Sequence, residues 1–396
     1  MEPLRDDDPA QIGGYTLRGR IGAGGMGQVY LGESIGGSLV AVKVIKRSVL
    51  DEETRARFVV EVDNLKTVFG SCVAAFVAAD AHADQPWLAV DYVHGPDLRS
   101  FITAGGPLPL AETASLGALL AEGLDTVHRA GLLHRDLKPQ NILLSERGPK
   151  LIDFGLSVLA ERRTQLTATG FVVGSVLCMP PEQARGEHDL QRSADVYALG
   201  AVLLYAATGH YPYTGDTWQA VALRIEDPDT PPDVSGLPSA LRPVIEEMLA
   251  YDPADRPPLD EVTRRLAAVI RGCGLKPMQA RRRLEGLTPF VPLPEFPPLP
   301  PQPDETYAPA VTDPAVTEDD EPAPSDRQTE QDEETERDPN EDEVGAAPAP
   351  DVEPVRVSAG SPSSLGRLST PLQIAERIRA AYARDAPFQP RARPRR

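Results

Sequence analysis

The chain has 396 residues and a formal net charge of −19, and its acidic side chains are concentrated in one region. Residues 288–366 contain 20 acidic and 3 basic side chains, whereas the last 30 residues contain 8 basic and 2 acidic ones. Residues 1–287 are only mildly acidic, which gives no reason to expect nucleic-acid binding. No run of about 18 apolar residues occurs, so the sequence predicts no membrane span.

The predicted elements begin with strands. Residues 15–45 have the pattern strand, Gly-rich turn, strand, strand, and residues 53–68 have apolar side chains at helical spacing. Residues 87–92 predict another strand. The later helical patterns cover residues 110–128, 195–207, 218–225, 238–249 and 259–270. The sequence therefore predicts an α+β fold, with a small β-rich lobe followed by a larger helical lobe.

The C-terminal part of the chain differs in composition. It is rich in proline after residue 288 and then strongly acidic, and neither composition favours a packed core. We therefore assign residues 276–366 to a disordered linker and residues 367–396 to a basic tail. Residues 371–384 have the spacing of a short helix, but an unstructured tail is favoured because an isolated helix of this length is marginal in water. Residues 1–14 are assigned to an N-terminal leader, and residues 15–275 to the folded domain.

The cysteines bear on the cellular compartment. Cys72, Cys178 and Cys273 are far apart and odd in number, so they match neither a disulfide framework nor a metal-ligand spacing. The acidic N-terminal sequence lacks the apolar segment of a secretory signal. These features predict a reducing, cytoplasmic location.

A glycine-rich segment is the first candidate binding motif. Residues 22–29 have the sequence GAGGMGQV, and glycines at this spacing let backbone amides approach phosphate groups closely. The same pattern occurs in dinucleotide-binding folds, where a helix begins at the last glycine. Here the next residues, Val29, Tyr30 and Leu31, continue as a strand, which argues against that fold.

Lys43 ends the strand-like segment VAVK, 16 residues after Gly27. A hairpin would return its ammonium group beneath the glycine-rich segment, where it would bind phosphates as a point charge. Glu61, on the following helix, is the carboxylate expected to hold Lys43 in place. The alternative for Glu61 is a solvated helix charge, and the neighbouring Phe58 and Leu65 favour an inward position.

The segment HRDLKPQN, residues 134–141, is the most specific motif, and DFG follows with Asp153 12 residues after Asn141. Phosphoryl transfer needs positioning and charge neutralisation. Asp136 is the expected proton acceptor for an attacking hydroxyl, and Lys138 would neutralise charge on the transferred group. Asn141 and Asp153 are the expected ligands of Mg²⁺ or Mn²⁺.

Together these motifs resemble the eukaryotic-type protein kinase superfamily, specifically the serine/threonine kinases of actinobacteria. The resemblance covers about residues 15–272 and implies a two-lobed protein kinase fold with ATP in the cleft between the lobes. It implies a serine/threonine rather than a tyrosine kinase, because of the segment KPQN. It also implies ATP contacts from the following residues: Ile21, Gly22, Ala23, Gly24, Gly25, Met26, Gly27, Gln28, Val29, Ala41, Lys43, Asp91, Val93 and Leu143.

The same resemblance implies structural and regulatory roles. Glu182 would form an ion pair with Arg256, and Asp195 would brace the backbone of the catalytic loop. Arg135, before the catalytic aspartate, implies control by phosphorylation of an activation segment. By position, the expected autophosphorylation sites are Thr167 and Thr169. Protein substrates are the expected partners, together with a homodimer during autophosphorylation.

Two other functions fit parts of the sequence. A pseudokinase scaffold would bind partners through the kinase fold and the proline-rich segment, but it would be expected to lack one of the catalytic residues, and none is missing. A small-molecule kinase of similar fold, such as an antibiotic phosphotransferase, would not be expected to have the complete glycine-rich segment, Lys138-Pro139 and Pro181-Glu182. The sequence therefore favours a signalling protein kinase.

Overall fold

The structure is a computed structural model that describes residues 1–24, 27–46, 52–154, 176–187 and 189–288. Four predicted site residues lie outside these ranges: Gly25, Met26, Thr167 and Thr169. The predicted basic tail, and the predicted linker beyond residue 288, lie outside them as well.

The N-terminal lobe is built on an antiparallel sheet, which has six strands in the described part of the chain. The strands are ordered β1-β2-β3-β4-β6-β5 and are β1 (Gln11–Ile12), β2 (Tyr15–Ala23), β3 (Gly27–Glu33), β4 (Leu39–Ile45), β5 (Phe76–Asp80) and β6 (Trp87–Asp91). Helix α1 (Glu52–Leu65) buries Phe58, Val62 and Leu65, the positions that gave its helical spacing in the sequence.

The two faces of this sheet have different neighbours. Val29 pairs with Lys43 and Tyr30 pairs with Val42. Because successive side chains of a strand point to opposite faces, Val29 and Lys43 lie on one face and Tyr30 and Val42 on the other. Val29, Ala41 and Lys43 line one cavity beside Asp153, which identifies their face as the one toward the cleft. The other face has its own apolar cluster, formed by Leu17, Tyr30, Val40, Val42, Val44 and Ala89.

The first twelve residues pack against this lobe. Strand β1 pairs with β2 through a two-residue turn, in which Gly13 has φ 55° and Gly14 has φ 83°. Two positive φ angles are typical of the tight turn that matches strand twist, and glycine adopts them without a steric cost. The segment assigned to a leader from the sequence thus adds a strand to the edge of the sheet.

The C-terminal lobe is helical. Its helices are α2 (Leu98–Gly105), α3 (Leu110–Arg129), α4 (Pro181–Ala184), α5 (Arg192–Thr208), α6 (Trp218–Glu226), α7 (Arg242–Met248), α8 (Leu259–Gly272) and α9 (Pro277–Leu287). Every residue of α5 from Ala194 to Ala206 is buried, as expected for a helix at the centre of a lobe. None of the helices in the described ranges has the length and apolar composition of a membrane-spanning segment.

A short hairpin lies between α3 and α4 and completes the cleft. Strand β7 (Ile142–Ser145) pairs with β8 (Gly148–Leu151), and Ile142 is opposite Leu151. The hairpin therefore brings together the residue before β7 and the residues after β8: the backbone amide of Ile152 donates to the carbonyl of Asn141 at 3.0 Å.

Helix α9 extends the folded region beyond residue 275. It buries Ala280 and Leu284, and its Arg281 donates to the carbonyl of Arg147 at 3.1 Å. These are its two buried side chains, and the rest of its sequence is mostly charged or polar, so the helix shows only a weak apolar pattern. The predicted architecture, a small β-rich lobe with one helix and a larger helical lobe, is confirmed.

Candidate active site

The glycine-rich segment connects β2 to β3. The backbone amide of Gly24 donates to the backbone carbonyl of Gly27 at 2.9 Å, and this bond closes the hairpin. A Cβ atom at Gly27 would lie 1.8 Å from the carbonyl oxygen of Val44, so a side chain is excluded there. Among the described residues, no atom lies within 4 Å of a Cβ built at Gly24, so the described part of the chain leaves open space there.

Lys43 and Asp153 meet in the cleft between the lobes. The Lys43 ammonium lies 2.9 Å from Oδ1 of Asp153, and the Lys43 side chain is only 11% exposed. Desolvation in the cleft opposes ionisation of Asp153, whose side chain is 40% exposed, but the adjacent ammonium prevails and lowers the pKa of this carboxyl below its usual range. Asp153 is therefore an anion at neutral pH, and Lys43 is the cation beside it.

The loop of residues 134–141 brings Asp136, Lys138 and Asn141 together. The Lys138 ammonium lies 2.6 Å from Oδ2 of Asp136, and Nδ2 of Asn141 donates to the Asp136 carbonyl at 2.7 Å. The second bond fixes the loop backbone and leaves the Asn141 amide oxygen available as a ligand. The Asp136 side chain keeps 23% of its surface exposed, so an incoming hydroxyl can reach it.

Two residues of the site have strained backbones. Arg135 has φ 58° and Asp153 has φ 60°, and they are the non-glycine residues with positive φ in the described ranges. Such conformations cost about 1–3 kcal/mol and persist where the surrounding contacts hold them. At Arg135 the turn brings the amide of Asp136 within 2.8 Å of the carbonyl of His134. The strain at Arg135 lies next to the Asp136 carboxylate.

A buried carboxylate supports this turn. Oδ2 of Asp195 accepts from the backbone amide of His134 and Oδ1 accepts from that of Arg135, each at 2.9 Å. His128 also donates to Asp195 through Nε2, and its role was not identified from the sequence. Gln183 is a second support that sequence reasoning missed, donating to the carbonyl of Arg135 at 3.1 Å. Neither belongs to a short motif, so no sequence signal pointed to them.

Three of the expected ATP contacts, Val29, Ala41 and Leu143, have apolar side chains. Val29, Ala41 and Leu143 are half-buried, which leaves apolar surface for a flat ring to contact. A cavity of about 40 Å³ is lined by Lys43, Val90 and Asp153, among other residues. The backbone amide of Asp91, at the end of β6, donates to the carbonyl of Ala75 at 2.9 Å. Asp91 is exposed and Val93 is half-buried.

Glu61 lies on α1 and is 8% exposed. Its charge acts on Arg135: burial lowers the pKa of that guanidinium, and the Glu61 carboxylate opposes the shift. Lys43 forms an ion pair with Asp153. The expected role of Glu61 as the partner of Lys43 therefore stays a prediction.

Glu182 and Arg256 form a buried ion pair. NH1 of Arg256 lies 2.6 Å from Oε1 of Glu182 and NH2 lies 2.8 Å from Oε2. The remaining Arg256 donors bond to the carbonyls of Ala250, Ser193 and Tyr251. All five guanidinium N–H groups therefore have acceptors, which is the condition for a buried pair to stabilise a fold.

Comparison with known proteins identifies the family. A family model described as the protein kinase domain matches residues 15–266. The chain belongs to the protein kinase family. This confirms the resemblance that the motifs indicated.

Several bacterial kinases are similar to this one. Serine/threonine-protein kinase AfsK of Streptomyces coelicolor is 40% identical over 276 residues, which cover 69% of this chain and 34% of AfsK. The probable serine/threonine-protein kinase PkwA of Thermomonospora curvata is 41% identical over 268 residues, covering 67% of this chain and 36% of PkwA. The kinase spans about one third of the length of these curated relatives.

A solved structure has the same fold. The crystal structure of Rad53 residues 1–466 in complex with AMP-PNP matches with a TM-score of 0.54 at 20% identity, covering 65% of each chain. At this identity the likeness concerns the fold alone.

Proposed function

We propose that this chain is a serine/threonine protein kinase that transfers the γ-phosphoryl group of ATP to protein hydroxyl groups. The observation that carries the proposal is the convergence of Asp136, Lys138 and Asn141 on one loop, beside the Lys43–Asp153 ion pair of the same cleft. The serine/threonine specificity is supported by the names of AfsK and PkwA and by the segment KPQN.

In this proposal Asp136 accepts the proton of the substrate hydroxyl as its oxygen attacks the γ-phosphorus. The bond from that phosphorus to the bridging oxygen of the β-phosphate breaks, and ADP leaves with the electron pair. The Lys138 ammonium, 2.6 Å from Asp136, neutralises charge on the transferred group. Lys43 binds the α- and β-phosphates, and Glu61 supports it from α1.

The donor set fits a divalent metal ion. The Asp153 carboxylate and the Asn141 amide oxygen are hard oxygen ligands, and Mg²⁺ in such sites takes one or two protein ligands together with phosphate oxygens. Within the described ranges, no three His, Cys, Asp or Glu side chains converge as a metal cage. A bound Mg²⁺ or Mn²⁺ would supply charge neutralisation at the phosphates.

The same site supports ATP as the phosphate donor. The open space at Gly24 and the close approach at Gly27 suit a backbone that lies over phosphate groups. The half-buried apolar residues Val29, Ala41 and Leu143 suit contact with an adenine ring. Because Lys43, Asp136, Asn141 and Asp153 are all present in one cleft, the arrangement argues against the pseudokinase alternative.

Regulation and location complete the proposal. We place autophosphorylation at Thr167 and Thr169, where a phosphate could pair with Arg135, and we expect it to occur between two copies of the kinase. Cys72, Cys178 and Cys273 are free thiols, which supports a reducing cytoplasmic location.

Phosphotransfer by the purified full chain tests the proposal. With ATP, Mg²⁺ or Mn²⁺ and a protein substrate, Lys43→Ala and Asp136→Asn should each lower the rate about 100-fold or more. The matched controls are Lys66→Ala and Asp63→Asn, which alter an exposed ion pair of the same lobe. Phosphoamino-acid analysis should give phosphoserine or phosphothreonine. Undiminished transfer by both cleft variants, or phosphotyrosine as the product, would overturn the proposal.

A further inference from the structure

The N-terminal segment covers the face of the sheet that points away from the cleft. Its apolar residues Leu4 and Ile12 pack against the cluster that contains Leu17 and Tyr30. The family match begins only at residue 15, so this segment lies outside the part of the chain that defines the kinase family.

The segment places one buried carboxylate against the strands of the glycine-rich hairpin. The Asp8 side chain is 2% exposed. Oδ1 accepts from NH2 of Arg20 at 2.5 Å and from the Tyr30 hydroxyl at 2.6 Å. Oδ2 accepts from Nε of Arg20 at 2.6 Å and from the backbone amide of Arg5 at 2.8 Å. Four donors therefore converge on one carboxylate, which makes it a fixed anchor.

The ionisation states of Asp8 and Tyr30 follow from this geometry. The hydrogen bonds from Arg20 are the main cause that holds the pKa of Asp8 well below its usual range, so the carboxylate is charged throughout the neutral range. Burial and the Asp8 contact raise the pKa of Tyr30 to about 12, so its hydroxyl remains a donor.

The anchored residues are directly opposite each other at the base of the hairpin. Arg20 on β2 pairs with Tyr30 on β3, two residues before Gly22. The pairing of β2 with β3 is irregular on both sides of this point, between Leu17 and Gly19 and again between Arg20 and Gly22. Irregular pairing bends a strand and leaves its ladder incomplete. A side-chain link at Arg20 and Tyr30 therefore holds the strands where the ladder is weakest.

The backbone of the segment is bonded at the same residue. Glu2 and Arg20 exchange two backbone hydrogen bonds of 2.8 Å each. Beyond this point the hairpin has exposed contacts, from Gln28 to the carbonyl of Gly22 and from Lys46 to that of Gly24. A second side-chain link, between Arg18 and Glu33, also joins β2 to β3, but its carboxylate is 27% exposed whereas that of Asp8 is 2% exposed.

We propose that Asp8 is a positioning residue for nucleotide binding: through Arg20 and Tyr30 it fixes the height and twist of the glycine-rich hairpin over the nucleotide phosphates. The inference rests on the proposed function, because it assumes that this hairpin binds phosphates. It assigns a role in ATP binding to a segment that precedes the family-matched residues.

Two ligands that differ in their phosphates separate positioning from general stability. AMP-PNP with Mg²⁺ has the phosphates that the hairpin would contact, and adenosine has none. In the full chain, Asp8→Asn should weaken AMP-PNP binding about five- to tenfold, since it removes a charged acceptor shared by both strands, and change adenosine binding less than about twofold. The KM for ATP should rise by the same factor with kcat little changed.

Two further variants complete the test. Asp6→Asn removes the same charge from an exposed side chain of the same segment and should leave both affinities unchanged. Tyr30→Phe removes one hydroxyl from the network. It should weaken the binding of AMP-PNP but not of adenosine, by a smaller factor than Asp8→Asn does, and it keeps the test decisive if Asp8→Asn folds poorly. Equal weakening of both ligands, or unaltered binding of AMP-PNP, would overturn the inference. A wild-type chain that binds AMP-PNP but transfers no phosphate would instead count against the proposed function.

Discussion

Nε2 of His128 lies 2.7 Å from Oδ2 of Asp195, although 67 residues separate them. His128 is near the end of α3 and Asp195 is in the first turn of α5, so the contact joins the two central helices of the larger lobe. The same carboxylate holds the backbone amides of His134 and Arg135. The Asp195 side chain thereby fixes the turn at His134 and Arg135 to the helical core.

Replacing Asp195 with Asn should destabilise the kinase domain by about 2–3 kcal/mol, because buried donors lose a charged acceptor. Urea unfolding at pH 7 measures this loss. Asp125→Asn is the matched control, since Asp125 forms an exposed ion pair with Arg129 on α3 and should contribute less than about 1 kcal/mol. Equal losses of unfolding free energy in the two variants would show that the buried contacts of Asp195 contribute no more to stability than an exposed ion pair does.

The Asp195 contribution should also depend on pH. Burial opposes its ionisation, but the hydrogen bond and charge of His128 prevail and lower the pKa of Asp195. A lowered pKa stabilises the fold at pH values above the ordinary aspartate value of about 3.9, and the stabilisation is lost as the pH falls through the pKa of the folded state. The difference in unfolding free energy between wild type and Asp195→Asn should therefore shrink below about pH 4. A difference that grows in acid would contradict this.

The Glu182–Arg256 pair should contribute to stability and not to nucleotide affinity. Its side chains are 5% and 0% exposed, so Glu182→Gln leaves a buried guanidinium without its counter-charge and should cost about 3–5 kcal/mol. Thermal and urea unfolding measure the loss. The exposed pair Arg264–Asp260 provides the control: Arg264→Gln should change stability by less than about 0.5 kcal/mol. A loss below about 1 kcal/mol for Glu182→Gln would contradict the assigned role.

Asn141 and Asp153 should determine the metal requirement. Asp153→Asn and Asn141→Ala each remove an oxygen ligand and should raise the Mg²⁺ concentration for half-maximal activity about tenfold, the effect of losing roughly 1.4 kcal/mol. In the presence of ATP, each variant should also bind Mn²⁺ about tenfold more weakly than the wild type, as measured directly. Asp63→Asn, on the exposed side of α1, serves as the control. An unchanged metal requirement in both variants would remove these residues from the metal site.

Activation by phosphorylation predicts a mass-spectrometric result. After incubation with ATP, the wild-type chain should have phosphate on Thr167 or Thr169, and Lys43→Ala should have none. Thr167→Ala/Thr169→Ala should lower transfer to an added protein about tenfold, because a lost pairing with Arg135 is worth roughly one charge-assisted hydrogen bond. Thr164→Ala is the control from the same segment. Active wild-type protein without phosphate at either site would contradict this mechanism.

Much of the fold was predictable because its signals are local. Helices α3, α5, α6 and α8 lie within a few residues of the predicted ranges, since each has the apolar spacing or continuous apolar run of a packed helix. Helix α9 was not predicted, because only Ala280 and Leu284 are buried and the segment is otherwise charged. The short helix α2 and the strands β5, β7 and β8 are four to eight residues long, too short for periodicity to identify.

The sequence by itself determined which groups are available for chemistry: the glycine-rich segment, Lys43, Asp136, Asn141 and Asp153 lie in the order and spacing of a protein kinase. Only the tertiary structure decided which of them touch and what holds them. The pairs Lys43–Asp153, His128–Asp195 and Asp8–Arg20 each join different elements of the fold. A motif depends on neighbours along the chain, whereas such contacts depend on how helices and strands pack, and no local pattern records that packing.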